Sequence, residues 1–145
     1  MKQISKNFTL TEFTKSHTAA KNGIKNIPNE KQEKSITLLV CRVLQPARDS
    51  FGKSITISSG FRSDELNAVV GGVSDSQHCA GEAADLKCED NKLLFNIIRE
   101  NGKFDQLINE YNYSWIHVSY REGNNRGEVL SAIKVNGKTK YEKQN

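Results

Sequence analysis

The chain has 145 residues, 36% of them hydrophobic, which predicts one globular domain over residues 1–145. No segment approaches the roughly 20 apolar residues of a membrane span, and the charged N-terminus lacks the apolar centre of a secretory signal. The net charge of +4 favours an anionic partner such as a bacterial cell wall, but its spread along the chain argues against nucleic acid. We also expect a monomer, made in the cytoplasm.

Two cap patterns begin the chain's first helices. Thr9 and Glu12 have the spacing of a capping box, and Phe8 and Phe13 flank it, so a short helix is predicted that frays by Gly23. The same pattern returns further along, where a second cap residue and a glutamine three positions later precede a run with helical apolar spacing. That cap and run are Asn29, Gln32, Ile36, Leu39, Val40, Val43, Leu44 and Ala47. Pro46 should kink or end this second helix.

The middle of the chain changes to a period of two. Residues 54–59 predict a strand, Ser63 caps a brief helix through Val70, and a strand follows over residues 83–86. Asp90 caps a further helix that Asn101-Gly102 stops. Its inward side chains are predicted to be Leu93, Leu94, Ile97 and Ile98.

The C-terminal part reads as hairpins. Residues 104–110 and 115–120 predict two strands joined by a tight turn at Asn112-Tyr113, and residues 129–135 begin a final hairpin that turns at Asn136-Gly137. Helices first and hairpin-connected strands later, with one helix between them, predict an α+β fold. We expect the N-terminal helices to pack on a small, mainly antiparallel sheet.

The predicted hairpin register brings polar residues to one face. A turn at Asn112-Tyr113 pairs Glu110 with Trp115 and Ile108 with His117, and because side chains alternate, all four share a face. Glu110 is then a diagonal neighbour of His117, with side-chain origins roughly 7–8 Å apart. This distance suits a base that reaches a water at His117 better than a shared ligand.

Three residues have the chemistry of a hydrolytic zinc site. His78 and Asp85 are seven positions apart across Gly81, which lets the loop turn back, and His117 lies in a predicted strand. Two imidazoles and one carboxylate leave one zinc position open for water, and Glu110 can then act as the base. From spacing alone, a packed or surface histidine and a solvated acid are the more common explanations of such residues. His17 is assigned no role.

Two neighbours of these residues have open interpretations. Arg62 follows a predicted strand end, where its guanidinium can bind a carboxylate through two hydrogen bonds or simply lie on the surface. The chain has three cysteines without a C-x-x-C pair, Cys41, Cys79 and Cys88, and this predicts free thiols in a reducing compartment. We interpret Cys79, next to His78, as a small inert thiol rather than a ligand.

The run Ser76-x-His78-x-x-Gly81-x-Ala83-x-Asp85 resembles, without a gap, the S-x-H-x-x-G-x-A-x-D motif of the peptidase M15 family. These are the zinc D-Ala-D-Ala carboxypeptidases, which include small phage and bacterial single-domain members. Residues 8–20 are similar to their N-terminal segment. Two further stretches are similar to the family's substrate-side motif and to its last-ligand motif: Ser59-Gly60-Phe61-Arg62-Ser63 with Leu66-Asn67 and Val70-Gly71-Gly72, and Phe104-Asp105-Gln106-Leu107-Ile108 with Trp115-Ile116-His117-Val118-Ser119.

The resemblance implies a Hedgehog/D-Ala-D-Ala peptidase-like fold with one Zn²⁺ held by His78, Asp85 and His117. It also implies that Arg62 binds the substrate's carboxylate. Ser76 would contact the substrate or support a ligand. Several family branches place the catalytic acid three residues before the last histidine, where this chain has Ser114. Glu110 is therefore our candidate base, followed by Glu82 and Glu122.

The implied function is cleavage of peptidoglycan stem peptides by a phage-type lysis enzyme. A chain without a secretory signal fits release through a holin, after which it would act on the host cell wall. Both a D-Ala-D-Ala carboxypeptidase and an L-alanyl-D-glutamate endopeptidase fit the motifs. The alternatives from other classes are a non-catalytic, Hedgehog-like metal-binding module and a virion part that degrades the wall during entry.

Overall fold

The computed structural model describes residues 2–144, and this part of the chain contains six α-helices and eight strands. The helices are α1 (Leu10–Thr14), α2 (His17–Lys21), α3 (Glu30–Leu39), α4 (Gln45–Phe51), α5 (Asp64–Val69) and α6 (Asn91–Asn101). The strands are β1 (Gln3–Ser5), β2 (Phe8–Thr9), β3 (Ile55–Ser59), β4 (Ala83–Cys88), β5 (Gln106–Glu110), β6 (Trp115–Ser119), β7 (Glu128–Val135) and β8 (Lys138–Lys143). Within residues 2–144, no helix combines the length and apolarity needed to cross a membrane.

Six strands form one sheet in the order β3-β4-β6-β5-β7-β8, and β1 pairs with β2 separately. All neighbours in the large sheet are antiparallel except β5 and β7, which run parallel. The predicted α+β class with a mainly antiparallel sheet is confirmed, as are both C-terminal hairpins. One face of the sheet packs under α3, α4 and α6 through residues such as Leu86, Leu107, Ile116 and Val118, so the opposite face carries the polar side chains.

The N-terminal caps form as predicted, but the first helix is divided. Glu12 accepts a hydrogen bond from the Thr9 backbone at 2.6 Å, which closes the capping box. Extended backbone at Lys15 and Ser16 then ends α1, and the Ser16 hydroxyl starts α2 by accepting from Ala19 N at 3.1 Å. The prediction of a single helix fraying to Gly23 was wrong because Ser16 supplies a second N-cap.

Pro46 does not end the second helix. A π-helical turn, Val40–Leu44, joins α3 to α4, and the helical path continues to Phe51. Pro46 then falls in the first turn of α4, where its missing N–H costs little. All six predicted apolar positions of this helix are buried: Ile36, Leu39, Val40, Val43, Leu44 and Ala47.

Helix α6 begins and ends as predicted, yet one inward residue was misplaced. Asp90 accepts from Leu93 N at 3.1 Å, and Gly102 closes the helix with φ of +68°. Leu93 itself is 48% exposed, whereas Phe95 is fully buried. The helical period places Phe95 with Leu94 and Ile98 on one stripe and turns Leu93 towards solvent.

The β5–β6 register is confirmed, with Glu110 opposite Trp115 and Ile108 opposite His117. The turn is longer than the predicted two residues. Three successive residues, Tyr111, Asn112 and Tyr113, have φ of 50°, 56° and 61°, and Ser114 N donates to Glu110 O at 3.0 Å. Asn109 compensates this unusual left-handed run, because its side chain accepts from Tyr113 N.

Gly81 lets the loop that carries His78 approach α3. Its φ is +76°, and an added Cβ would lie 2.4 Å from the backbone oxygen of Gln32. The Gln32 side chain also donates to Cys79 O at 3.0 Å, so helix and loop are in direct contact.

We expect Gly81→Ala to destabilise the fold by roughly 2–4 kcal/mol, from left-handed strain plus the clash with Gln32. Gly52→Ala is the matched control, because Gly52 has the same φ of +76° with nothing within 4 Å of an added Cβ. It should lose only about 1–2 kcal/mol. Urea unfolding of both variants measures the difference, and equal losses would contradict the close approach.

Candidate metal centre and active-site cleft

Strand register aligns the candidate residues in two neighbouring rows on the polar face. The first row runs across β4, β6, β5 and β7 through Asp85, His117, Ile108 and Leu130. The second row lies two residues along each strand and runs across β6, β5, β7 and β8 through Trp115, Glu110, Ala132 and Tyr141. Partners in a row point to the same face. His117 on β6 and Glu110 on the neighbouring β5 are therefore close together on this face.

These rows form the floor of a cleft of about 710 Å³. Its walls come from the segment between β3 and β4, from the start of β5 and from the loop before β7. They include Arg62, Gly72, Val73, Asp75, Ser76, Gln77, His78, Gln106 and Arg126. The cleft contains all six predicted site residues.

His78 reaches the sheet from a loop rather than from a strand. Its Nδ1 lies 2.7 Å from the Gly60 carbonyl oxygen, and the side chain is almost fully buried. A carbonyl only accepts, so Nδ1 carries the hydrogen and the lone pair of Nε2 remains free to bind a metal. An added Cβ at Gly60 would lie 2.7 Å from Phe13 Cα, and this close packing fixes the carbonyl that orients His78.

The three candidate ligands converge on one point. One ligand atom from each of His78, Asp85 and His117 lies within 4.8 Å of the others. Asp85 Oδ1 is 3.5 Å from His78 Nε2 and 3.0 Å from His117 Nδ1. A tetrahedral zinc with bonds near 2.0–2.1 Å requires ligand atoms about 3.4 Å apart. The donor types and their separations therefore fit one zinc ion.

The two histidines keep Asp85 ionised. Burial raises the pKa of its carboxyl, but the hydrogen bonds and charges of His117 and His78 outweigh burial and hold that pKa below the ordinary value. A metal ligand must be deprotonated to bind. Asp85 is thus ionised, as metal binding requires, at pH values near neutral.

Glu110 is a buried acid beside this cluster. Its side chain is 9% exposed. Burial raises its pKa above the ordinary value, with His117 opposing the rise and Asp85 adding to it. A carboxylate with a raised pKa at a metal cluster has the properties of a general base.

The peptidase M15 family model matches residues 6–119, which is most of the chain. The chain belongs to the peptidase M15 family. It is also 36% identical over 81 residues to the zinc D-Ala-D-Ala carboxypeptidase of Streptomyces albus G. That match covers 55% of this chain and 31% of the relative, so the matched segment spans less than a third of the relative's length.

Arg62 and Ser76 both lie in the cleft of this M15 chain. The Arg62 backbone donates to His78 O at 3.1 Å, and its side-chain Nε is buried without a hydrogen-bond partner in residues 2–144. A buried donor without a partner favours a ligand group there. The Ser76 hydroxyl accepts from His78 N at 3.2 Å. This hydrogen bond supports the loop before β4 that carries His78, which we call the ligand loop.

The other acids considered as bases lie outside the cleft. Glu82 accepts from the Gln77 side chain at 3.3 Å, and Glu122 pairs with Lys34 at 3.5 Å. Ser114 is exposed in the turn after β5. All three cysteines are free, as predicted, and burial raises the pKa of the Cys79 thiol, which keeps it protonated.

Sequence reasoning missed the cleft residues from the C-terminal hairpin and the loop before it. Arg126, Leu130 and Tyr141 line the cleft, although they lie beyond the segment that matches the M15 family model. The hairpin itself was predicted, but its parallel placement beside β5 was not. This parallel pairing sets residue 106 opposite residue 128. Residues so far apart in sequence have no turn or cap pattern between them that would predict the pairing.

Asp105 joins the loop before β7 to the ligand loop. Arg126 donates to it from Nε at 3.0 Å and from Nη2 at 2.7 Å, and the Gln77 side chain donates at 3.0 Å. Burial raises the pKa of Asp105, but Arg126 and Gln77 lower it to about 2, from an ordinary 3.8. The stability that ionised Asp105 gains from Arg126 and Gln77 is therefore complete above about pH 4 and is lost as the pH falls towards 2.

We expect Asp105→Asn to lower the free energy of unfolding by about 1–2 kcal/mol at pH 7, a modest value because Arg126 is partly exposed. The gap between the variant and the unchanged protein should close as the pH falls from 4 towards 2. Urea unfolding at both ends of that range measures it, with the exposed Asp49→Asn as control. A gap that stays constant would contradict the lowered pKa.

Proposed function

We propose that this chain is a zinc-dependent peptidase that hydrolyses peptidoglycan stem peptides, acting as one domain over residues 1–145. The observation that carries this proposal is the His78, Asp85 and His117 cluster beside the buried Glu110 in one cleft. M15 membership supports the peptidase class. The name of the Streptomyces albus G relative supports both zinc and the D-Ala-D-Ala substrate.

The chain's own residues suit hydrolysis of a peptide bond. His78, Asp85 and His117 would hold one zinc ion, which supplies a Lewis acid that polarises the carbonyl and makes water more acidic. Glu110 would take the proton from the attacking water and pass it to the nitrogen of the leaving amine. Arg62 would bind a carboxylate of the peptide through its unpartnered guanidinium, while Ser76 holds the His78 loop in position.

An L-alanyl-D-glutamate endopeptidase is our second candidate. The cleft continues on both sides of the Asp85–His117 row, from Gln106 and Arg126 at one end to Trp115 and Tyr141 at the other. A cleft that is open on both sides of the reacting centre accommodates peptide before and after the cut bond. A carboxypeptidase needs space for only one residue of the peptide after the cut bond.

We further propose a phage-type lysis role as a monomer with a Hedgehog/D-Ala-D-Ala peptidase-like fold. The basic net charge of +4 supports attraction to an anionic wall. A Hedgehog-like module that binds metal without catalysis would need no acid in the cleft, so the buried Glu110 favours the enzyme.

Clearing of purified sacculi tests the proposal. The zinc-loaded chain should lower their turbidity or trim their stem peptides, a chelator should stop this, and added zinc should restore it. Zinc-loaded Glu110→Gln serves as the control for binding without hydrolysis. A folded, zinc-loaded protein that neither clears sacculi nor trims their peptides would contradict the enzyme and leave the metal-binding module.

A further inference from the structure

Tyr141 is an aromatic residue in an unusual place. It lies on β8, whose six residues are all exposed, yet its side chain lines the cleft that holds the candidate zinc site. It is 55% exposed and lies beyond the segment that matches the M15 family model. Tyr141 belongs to neither hydrophobic cluster of the described residues, so core packing does not explain it.

The register brings Tyr141 towards Glu110. Glu110 pairs with Ala132, and Ala132 pairs with Tyr141, so the three residues are successive members of one row on one face. Two strand spacings, about 10 Å, separate the outer two backbones. Ala132 has the smallest side chain that a row can carry, and it leaves space through which a tyrosine can reach inward.

The electrostatics of Tyr141 agree with this placement. Burial raises the pKa of its phenol, and the charges of Glu110, Tyr111 and Asp85 raise it further. Two acids of the candidate site therefore act on this hydroxyl. The phenol stays protonated, as a hydrogen-bond donor, across the neutral range.

The hydroxyl of Tyr141 is also free to donate. Tyr111, the other tyrosine beside β8, uses its hydroxyl in a hydrogen bond with Thr139 at 2.5 Å. The Tyr141 hydroxyl makes no hydrogen bond within residues 2–144. A donor that faces a cleft without a protein partner is available to a bound ligand.

We propose that Tyr141 is a catalytic residue whose hydroxyl donates a hydrogen bond to the oxyanion formed from the scissile carbonyl. This rests on the proposed peptidase function. Water's oxygen bonds to the carbonyl carbon, the C–N bond breaks, and Glu110 carries the proton from water to the amine. Tyr141 keeps its proton throughout and stabilises the charge that develops on oxygen. The substrate is then enclosed by the C-terminal hairpin as well as by the ligand loop.

The test compares zinc-loaded Tyr141→Phe with zinc-loaded Tyr120→Phe, a control that removes a hydroxyl from a tyrosine packed against the core outside the cleft. Tyr141→Phe should lower kcat on a wall peptide by about 10²-fold with little change in KM, since the hydroxyl acts in the transition state. Calorimetry provides a readout without turnover. Tyr141→Phe should weaken binding of a phosphinate peptide, which has a tetrahedral anion at the cut site. Binding of the parent peptide is measured in the Glu110→Gln background, which does not cut it. Adding Tyr141→Phe to that background should leave this binding nearly unchanged.

Each outcome decides the proposal. A kcat within about threefold of the unchanged protein, or equal weakening of the phosphinate and the parent peptide, would overturn the role of Tyr141 and leave the peptidase function intact. A loss of activity in Tyr120→Phe of the same size would also overturn it, because the effect would then be structural. If the unchanged protein cuts no wall peptide, both this proposal and the proposed function fail.

Discussion

Zinc-loaded Glu110→Gln should turn over wall peptides roughly 10²- to 10⁴-fold more slowly than the unchanged protein, with its zinc content unaltered. Gln has nearly the same shape but cannot accept a proton from water. Glu110 is not among the three residues that cluster as candidate ligands, so in the proposed mechanism its loss removes the base and spares the metal. Steady-state kinetics and metal analysis of the same samples check both halves of this result.

Glu82→Gln is the matched control, because Glu82 is an acid near the ligand loop but outside the cleft. It should keep near-normal turnover. The raised pKa of Glu110 adds a pH signature: a base must be deprotonated, so activity should fall as the pH drops through a value above the 4.5 of an ordinary glutamate. Near-normal turnover in zinc-bound Glu110→Gln would show that another group is the base.

Asp85→Asn should lower zinc affinity by on the order of 10³-fold or more and abolish hydrolysis with it. Asp85 is the link between the two histidines, since its Oδ1 lies 3.5 Å from His78 Nε2 and 3.0 Å from His117 Nδ1. An amide of the same size preserves packing but removes the only negative charge of the proposed ligand set. Titration with a competing zinc chelator measures the affinity.

Asp75→Asn provides the control for this charge change. Asp75 lines the same cleft but is exposed and outside the cluster, so its variant should keep full zinc affinity. Equal zinc affinity in Asp85→Asn and the unchanged protein would contradict the three-ligand site. Loss of zinc by both variants would point to a general effect of cleft charge instead.

Local chemistry made much of the fold predictable. Side-chain caps at Thr9, Asn29, Ser63 and Asp90 start helices where the spacing of polar residues predicts them. The β5–β6 register was correct even though the turn was longer, because Tyr111 and Ser114 lie symmetrically about its centre. Side-chain alternation is then sufficient to predict that His117 and Glu110 share one face.

Non-local pairing was what the chain did not reveal. β7 joins the sheet beside β5 in parallel, across an intervening strand and loop, and no turn chemistry encodes that choice. This pairing brings Leu130 into the cleft and, through the β7–β8 hairpin, Tyr141 as well. Similarly, Pro46 was expected to kink or end a helix, but the helical path continues through a π-helical turn whose Val40, Val43 and Leu44 lie in the core.

Mass spectrometry of muropeptides after digestion tests the central claim most directly. With zinc restored to the chain, we predict stem peptides cut at one bond, each cut adding one water, and no cutting by the chelated protein or by Glu110→Gln. Loss of a terminal D-Ala identifies a carboxypeptidase, and separation of L-Ala from D-Glu identifies an endopeptidase. Unchanged muropeptides after incubation with folded, zinc-loaded protein would contradict the account.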